Sequence, residues 1–280
     1  MKNKFPYIFS LALIIIAFLA WSTVFGLEGR KLNFYVLDIG QGDAIFIETP
    51  TKNQILIDGG PDNSVLEELG EVMPFHDRSI DVVMMTHPNL DHVAGLVDVL
   101  KNYDVKYFVD TDDGYYLAGY EELKKIIREK NITRIKAERG ARIILDRGVE
   151  LTILHPDKLV SGDPNQNSVV AKLSFGEIDF LLTGDAEKGE ELKLAQGEDN
   201  LESEVLKVGH HGSKTSSNPL FLEKVKPDYA LISVGAKNRY GHPTKQVLEA
   251  LEEVGAQIFR TDLDSRIHLE SDGESLTVVK

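Results

Sequence analysis

The residues best suited to metal chemistry lie in one short motif in the first third of the chain. Residues 86–92 read Thr-His-Pro-Asn-Leu-Asp-His and follow an apolar run. The potential ligands in this motif are His87, Asn89, Asp91 and His92. A tight turn can direct alternate positions at one divalent cation and adjacent positions at a second cation about 3.5–4 Å away. The alternative is that Asn89 or Asp91 only caps the next helix, but two histidines flanking an aspartate favour metal binding.

Asp185 is a candidate for a carboxylate that bridges two cations. It ends the sequence Leu-Leu-Thr-Gly-Asp, so it follows an apolar strand and a glycine that allows close backbone approach. A Gly-Asp turn is also a common way for a strand to end. Because the chain carries the 86–92 motif as well, we expect Asp185 to bind metal and to orient the attacking water.

His210 and His211 follow a strand-like run in the sequence Gly-His-His-Gly-Ser-Lys. Adjacent side chains at a strand end point to opposite faces. We therefore expect one of these histidines to bind metal and the other to face substrate or pack, and the sequence leaves open which is which. Lys214 offers a positive charge beside this turn as a phosphate contact, although the segment also fits a plain solvated turn.

A later loop contributes Arg239 and His242, in the sequence Asn-Arg-Tyr-Gly-His-Pro. Arginine suits bidentate recognition of phosphate, and His242 could protonate a leaving oxygen or orient the phosphate. A purely structural loop is the alternative. Asp43 and Asp58 lie in loops after the first strands, where Asp58 could accept a hydrogen bond from a ligand histidine and fix its tautomer. Turn formation explains these two aspartates equally well.

The elements that must position these motifs predict an α/β fold. Apolar runs alternate with helical periodicity after about the first 60 residues. The predicted strands are Asn33–Asp38, Ala44–Glu48, Gln54–Asp58, Asp81–Thr86, Val105–Val109, Glu150–Leu154, Ser168–Phe175, Ile178–Thr183, Glu204–Val208, Tyr229–Val234 and Gln257–Arg260. The predicted helices are Ser64–Gly70, Val93–Lys101, Tyr120–Lys130, Glu187–Ala195, Leu220–Lys226 and Thr244–Val254. Two half-sheets, each covered by helices, account for this pattern.

The N-terminal residues 1–28 predict a membrane anchor or a signal peptide. Lys2 and Lys4 precede an apolar run from Ile8 to Phe25 that is just long enough to span a hydrocarbon core as a helix. The positive flank would stay in the cytoplasm. We therefore expect a single-pass membrane protein whose domain, residues 31–280, lies outside the cytoplasm, or else a secreted protein.

Composition excludes several classes of protein. The 280 residues contain no Cys, which excludes a disulfide scaffold, a Cys-ligated zinc site, an iron–sulfur site and a thiol nucleophile. The chain carries 31 basic and 45 acidic residues, a formal charge of −14. This acidity argues against a broad basic face that grips nucleic acid by charge, but a small local phosphate site is compatible with it.

Taken in order, the motifs resemble those of the metallo-β-lactamase superfamily, and within it the soluble hydrolase domain of ComEC-type competence proteins. The resembling segments are residues 37–44, 57–60, 165–170, 182–185, 206–213 and 239–243. The resemblance implies an αββα four-layer sandwich with the metal site in the cleft at the sheet edges. It also implies a hydrolase with two divalent cations, and in the competence setting a nuclease acting on incoming DNA. The imidazole nitrogens admit Zn²⁺ as the metal, while the carboxylate and amide oxygens admit Mn²⁺.

Three departures from the family pattern bear on function. Asn89 stands where the superfamily usually has His and the ComEC branch often has Asp, and an amide is a weaker ligand. The usual histidine between the first cluster and the Gly-Asp motif has no clear counterpart, so His155 and Asn167 are candidates for its place. The multi-span channel domain of full competence proteins is absent from this sequence, which suggests a separate channel protein as a partner.

The functional prediction is a two-metal phosphodiesterase or nuclease acting on single-stranded DNA or another phosphodiester. In this scheme Lys214, Arg239 and His242 stabilise charge on the substrate. One alternative is a phosphodiesterase for a small or cell-surface substrate such as a choline-phosphate ester, which the acidic surface favours. The other is a non-catalytic, membrane-anchored binding module, which the departure at Asn89 motivates.

Overall fold

The computed structural model describes residues 9–10, 13–18, 21 and 31–279. Within residues 31–279, the chain forms fifteen strands and seven α-helices. The strands are β1 (Leu32–Val36), β2 (Ile45–Glu48), β3 (Gln54–Ile57), β4 (Ser79–Met84), β5 (Asp104–Asp110), β6 (Thr133–Lys136), β7 (Arg142–Asp146), β8 (Val149–His155), β9 (Val170–Phe175), β10 (Ile178–Leu182), β11 (Val205–Lys207), β12 (Tyr229–Ile232), β13 (Gln257–Arg260), β14 (Ile267–Ser271) and β15 (Leu276–Val279). The helices are α1 (Ser64–Val72), α2 (Leu90–Asn102), α3 (Ala118–Glu129), α4 (Lys188–Gln196), α5 (Pro219–Val225), α6 (Lys245–Glu253) and α7 (Thr261–Asp264).

The strands form two mixed sheets. The first sheet has the order β15-β14-β1-β2-β3-β4-β5-β6, and the second has the order β13-β12-β11-β10-β9-β8-β7. Each sheet combines an antiparallel part with a parallel part: β3 to β6 run parallel in the first, and β10 to β13 run parallel in the second. The chain builds β1 to β6, then the whole second sheet, and then returns to pair β14 with β1.

Three apolar cores show that the molecule has four layers. The central core lies between the sheets, where the rings of Phe34 and Phe180 stack with centroids 4.7 Å apart. A second core joins the outer face of the first sheet to helices α1, α2 and α3, as in the packing around Leu96 and Leu123. A third joins the second sheet to α4, α5 and α6, around Phe221 and Leu251. The structure therefore confirms the predicted αββα sandwich.

The loops that carry the predicted motifs lie at one edge of this sandwich. Parallel strands bring their carboxyl ends to the same edge of a sheet, where ligand sites of α/β proteins are usually built. The motif loops follow β3, β4, β10, β11 and β12, all members of the parallel parts. The first and the second sheet thus each contribute to one shared cleft.

The predicted N-terminal segment lies largely outside the described residues. Of residues 1–28, the structure describes 9–10, 13–18 and 21, all of them helical and exposed to solvent. Across the described residues, no helix combines the length and the apolar character needed to cross a membrane.

Candidate metal centre

Four imidazole rings surround the carboxylate of Asp185. The Nε2 atoms of His92 and His211 lie 3.4 and 3.6 Å from Oδ1 of Asp185. The Nε2 atoms of His87 and His210 each lie 3.8 Å from its Oδ2. The two oxygens of Asp185 therefore face different pairs of histidines, which is the arrangement that a bridging carboxylate requires.

Unpartnered ligand atoms converge at this point. Among the described residues, four buried atoms of the cluster have no hydrogen-bond partner: Nε2 of His87, Nε2 of His92, Nε2 of His211 and Oδ1 of Asp185. Buried polar atoms are normally satisfied, because an unmet donor or acceptor costs about 1–3 kcal/mol. Ligand atoms of His87, His92 and Asp185 lie within 4.8 Å of one another, as do those of Asp91, His92 and His211. The donor set fits divalent metal, which would satisfy these atoms in neighbouring groups.

Asp58 and Thr86, which follow strands β3 and β4, hold two of the imidazole rings through their Nδ1 atoms. Nδ1 of His92 lies 2.8 Å from Oδ2 of Asp58. Nδ1 of His87 lies 3.1 Å from Oγ1 of Thr86. Asp58 in turn accepts hydrogen bonds from both the backbone N–H and the hydroxyl of Thr86, at 2.8 and 2.6 Å. Such partners fix the tautomer of a ligand histidine and leave Nε2 free for metal, and Asp58 makes the contact with His92 that this role would need.

A buried ion pair supports His211 from the other side. Nδ1 of His211 lies 3.0 Å from the carbonyl oxygen of Ser233 and 3.3 Å from Oδ1 of Asp43. The second oxygen of Asp43 accepts a hydrogen bond from Lys207 at 2.8 Å, and the Lys207 side chain is fully buried. Sequence reasoning missed Lys207. Its signal was a lone lysine at the end of a strand that is otherwise apolar.

The turn that carries His210 and His211 differs from the sequence expectation. Both residues have left-handed backbone conformations, with φ of 49° and 54°, within a 3-10 turn over Gly209–Gly212. The alternation of side chains along a strand does not apply to this geometry, so both rings reach Asp185. His210 is the more exposed of the two, and its Nδ1 lies 3.1 Å from Oγ1 of Thr215 and 3.3 Å from a carboxylate oxygen of Glu187.

Asn89 and Asp91 occupy different parts of the first motif. Asn89 precedes helix α2, and its amide nitrogen donates to Oδ1 of Asn165 at 2.6 Å. Asp91 lies in the first turn of the helix, with Oδ2 3.5 Å from Nε2 of His211. The carboxylate thus joins the His92 and His211 group, while the amide of Asn89 connects the motif to a neighbouring loop.

The two candidates for the missing histidine lie outside the cluster of ligand atoms. His155 ends strand β8, and its Nε2 bonds to the carbonyl oxygen of Gln166 at 2.9 Å. The Asn167 amide nitrogen donates to Oδ2 of Asp113 at 2.6 Å and to the carbonyl oxygen of Val160 at 2.8 Å. These bonds brace the loops beside the cleft, so the structure gives neither residue a ligand's position.

Electrostatics shows that the carboxylates of the cluster favour protonation of some of the neighbouring imidazoles. Burial opposes charge on His211, but the carboxylates of Asp185 and Asp43 outweigh it and raise its pKa to about 10. Burial also tends to raise the pKa of Asp185, yet His211 and His92 hold it well below its usual value. Burial and the neighbouring His92 lower the pKa of His87 to about 3. The carboxylates thus draw protons onto nearby imidazoles, which a bound cation would displace.

The predicted substrate-facing residues are His242, Lys214 and Arg239, and His242 lies beside the cluster. His242 is half-buried, with its ring centroid 5.8 Å from that of His210. Its Nδ1 is buried and unpartnered among the described residues. Lys214 and Arg239 are exposed, and neither forms an ion pair within residues 31–279. Of the three, His242 is the one whose ring contacts a histidine of the cluster.

Sequence comparison finds relatives among competence proteins. Over 249 residues the chain is 31% identical to ComE operon protein 3 of Bacillus subtilis (strain 168), covering 83% of this chain and 32% of that protein. It is also 31% identical over 237 residues to competence protein ComA of Neisseria gonorrhoeae, covering 83% of this chain and 31% of that protein. The chain therefore spans about a third of the length of these relatives.

Structural and family comparisons agree on the fold. The metallo-beta-lactamase fold protein YhfI from Bacillus subtilis superposes with a TM-score of 0.60 at 13% identity, covering 86% of this chain and all of that one. The sequence profile of the metallo-beta-lactamase superfamily matches residues 37–236. This fold implies divalent metal binding, as does the histidine and aspartate cluster. The chain belongs to the metallo-beta-lactamase superfamily.

Proposed function

We propose that this chain is a metal-dependent phosphodiesterase that cleaves single-stranded DNA with two divalent cations, Zn²⁺ or Mn²⁺. The observation that carries the proposal is the convergence of buried, unpartnered ligand atoms around the two oxygens of Asp185. A divalent cation bound there would lower the pKa of a coordinated water and neutralise charge on a phosphate. The membership of a metallo-hydrolase superfamily supports the same conclusion at the level of reaction class.

The candidate metal ligands form two groups that meet at Asp185. His92, His211 and Asp91 form one group of ligand atoms beside Asp185. His87 forms a second group with His92 and Asp185, and His210 faces the same Asp185 oxygen as His87. Asp185 connects the two sides and presents a carboxylate to any water held between them. This division supports a pair of cation sites that share one carboxylate.

His242 is suited to orient the substrate through an uncharged ring. Burial lowers its pKa, and the neighbouring His210 and His211 lower it further. At neutral pH the ring therefore carries a single N–H, which can donate to a phosphate oxygen without adding charge. Of the two roles that the sequence left open for His242, this supports orientation of the phosphate over protonation of a leaving oxygen.

A phosphodiester matches the charges at the cleft opening. Lys214 and Arg239 are exposed cations without ion-pair partners in the described part of the chain, although the chain as a whole is acidic at −14. Local cations against an acidic background favour a ligand with a few charges held at one place over a long duplex lying across the surface. The competence proteins among the relatives favour DNA as the source of that diester.

We further propose that the enzyme works outside the cytoplasm, held by its N-terminal segment beside a separate channel protein. The positive residues before the apolar run support this orientation. Failure of the N-terminal segment to retain the protein in membranes would contradict this part of the proposal.

The decisive experiment removes the shared carboxylate. We expect Asp185→Asn to lose bound metal and to reduce the rate of cleavage. Loss of a residue that only supports a metal ligand typically lowers activity by roughly 10–100-fold, so loss of the shared carboxylate should lower it by at least as much. Metal content and cleavage of a labelled single-stranded oligonucleotide are measured with Zn²⁺ and with Mn²⁺. Asp98→Asn is the matched control, because Asp98 lies on the same helix as Asp91 and makes no ion pair in the described part of the chain.

The outcomes separate the candidate functions. Metal-dependent cleavage that is lost in Asp185→Asn and kept in Asp98→Asn supports the proposal. Cleavage of a small chromogenic phosphodiester but not of DNA would favour the smaller or cell-surface substrate, to which the acidic charge also points. Retention of metal and unchanged cleavage in Asp185→Asn would overturn the assignment of the centre.

A further inference from the structure

Three aromatic rings form a line from the metal centre to the solvent. The first is His210, whose Nε2 lies 3.8 Å from Asp185. The second is His242, whose ring meets that of His210 edge to face with centroids 5.8 Å apart. The third is Tyr240, stacked on His242 with centroids 5.7 Å apart and an interplanar angle of 25°. We call these three rings the aromatic line.

The loop that carries the outer two rings is held in one conformation. The Asn238 side chain donates to the carbonyl oxygens of Gly235 and His242, at 2.9 and 2.8 Å, and accepts from the backbone N–H of His242 at 3.0 Å. The following Thr244 donates its N–H to the carbonyl oxygen of Gly212 at 2.9 Å. The Tyr240 loop is therefore tied both to itself and to the turn that carries His210.

Tyr240 presents a bare ring face in a charged setting. Its side chain is 63% exposed although its ring stacks on that of His242. Its neighbours Lys237 and Arg239 are exposed and form no ion pairs within the described ranges. A flat aromatic face beside free cations is the combination with which proteins bind unpaired nucleotides, because the ring stacks on a base while the cations meet the backbone.

We propose that Tyr240 is a stacking platform for one unpaired base next to the phosphate held at the metal centre, with Arg239 and Lys237 contacting the backbone beyond it. The inference rests on the proposed function and adds how the substrate would be recognised. In a duplex both faces of each base are covered by its neighbours. A platform of this kind therefore selects single strands and gives little choice among the four bases.

The test is a binding measurement that does not depend on cleavage. Fluorescence anisotropy follows a labelled short oligothymidylate with cleavage-resistant phosphorothioate linkages binding to the full, metal-loaded wild-type chain, the parent, so that the metal centre stays intact and little substrate is consumed. Stacking is worth about 1–3 kcal/mol per base, so we expect Tyr240→Ala to weaken binding by about 5- to 150-fold. We expect Tyr240→Phe, which keeps the ring, to bind like the parent.

Abasic oligonucleotides turn this into a specific test of stacking. The same oligomer is prepared with one abasic residue at successive positions. If the platform takes one base, one of these oligomers should bind weakly to the parent, and Tyr240→Ala should weaken its binding no further. Tyr116→Ala is the matched control, because Tyr116 is 78% exposed on a loop outside the aromatic line, and it should bind like the parent.

The outcomes distinguish this inference from the proposed function. Equal binding by Tyr240→Ala and the parent would overturn the platform even if the wild-type enzyme cleaves DNA. A Tyr240→Ala defect of the same size on every abasic oligomer would also overturn it, because the ring would then not act through a base. Base-dependent binding by a wild-type protein that cleaves no diester would retain the platform and refute the proposed hydrolase.

Discussion

Lys207 forms a buried ion pair that joins the two halves of the molecule beside the metal centre. Its ammonium group is fully buried on the second sheet and donates to Asp43, 164 residues earlier, in a loop of the first sheet. Burial raises the pKa of the Asp43 carboxyl, but Lys207 and His211 outweigh it and bring the pKa below its usual value. Asp43 can therefore remain ionised beside Nδ1 of His211 without contact with water.

We predict that Lys207→Met is costly because it leaves a buried carboxylate without its cation. Removing one partner of a buried pair typically costs about 3–5 kcal/mol. The free energy of unfolding from urea denaturation should fall by that order, and the purified variant should retain less metal because Asp43 no longer holds His211 in one orientation. Lys172→Met is the control, since Lys172 is a mostly buried lysine of the same sheet whose partner, Asp179, lies away from the centre. Equal metal retention in both variants would contradict the role of Lys207.

At the scale of elements, helix α2 delivers Asp91 and His92 to the centre, and a glycine contact fixes where the helix lies. A Cβ atom on Gly95 would come 1.9 Å from the carbonyl oxygen of Gly59 and 2.5 Å from that of Asp62. Both are backbone atoms, which cannot give way as the end of a side chain can. The helix lies against the loop after β3 only because Gly95 has no side chain.

We predict that Gly95→Ala pushes helix α2 off this loop. Overpacking of this kind costs about 1–3 kcal/mol, and the displacement should carry Asp91 and His92 away from Asp185. The midpoint temperature of thermal unfolding and the metal content of the purified protein should both decrease. Gly70→Ala in helix α1 is the matched control, because nothing lies within 4 Å of its added Cβ, and it should stabilise the protein by roughly 0.5–1 kcal/mol. A Gly95→Ala protein with wild-type metal content would show that the contact does not position the ligands.

The elements that the sequence predicted are those with a strong apolar signal. All eleven predicted strands and all six predicted helices are present, with ends shifted by a few residues. Four strands escaped prediction: β6, β7, β14 and β15. Strand β6 reads Thr-Arg-Ile-Lys and is exposed at three of its four positions, and β15 alternates between partly buried and exposed. Strands β6 and β15 lie at the two edges of the first sheet. Each is held by hydrogen bonds to one neighbour, which leave little trace in the hydrophobic pattern.

The site was predictable where ligand types are unusual and unpredictable where backbone geometry decides. His87, Asp91, His92 and Asp185 stand out by type and spacing, and the structure brings them together. The roles of His210 and His211 could not be separated, because the sequence does not show that the strand ends in a left-handed turn. Long-range partners such as Lys207 for Asp43 depend on the meeting of the two sheets, which no local pattern encodes.

At the scale of the whole molecule, the metal centre spans the interface between the halves. The first sheet supplies His87, Asp91 and His92, and the second supplies Asp185 and His211. A cation held by both would oppose separation of the sheets. Because a ligand that binds only the folded state stabilises it, the metal should contribute about 2.7 kcal/mol when present at 100 times its Kd.

We predict that chelation lowers the thermal stability of the metal-loaded protein. For a domain of this size, 1 kcal/mol of stability corresponds to roughly 2–4 °C in Tm, so loss of the metal to EDTA should lower Tm by about 5–10 °C. Differential scanning fluorimetry measures the shift, and adding back Zn²⁺ or Mn²⁺ should reverse it. The Asp185→Asn protein should show little response to EDTA. A metal-loaded wild type whose Tm ignores the chelator would mean that the cation does not join the halves.

The path of the chain also sets the order in which this molecule can be completed on the ribosome. Strand β1 pairs with β14 along Leu32 to Val36, and the whole second sheet lies between them in sequence. Until that sheet has been synthesised, the nascent first sheet has β1 as an unprotected edge, open to pairing with other chains. The two halves are thus not independent folding units that dock when finished. The first sheet waits for the second, which is one continuous segment of the chain, and its edge stays open until β14 is made.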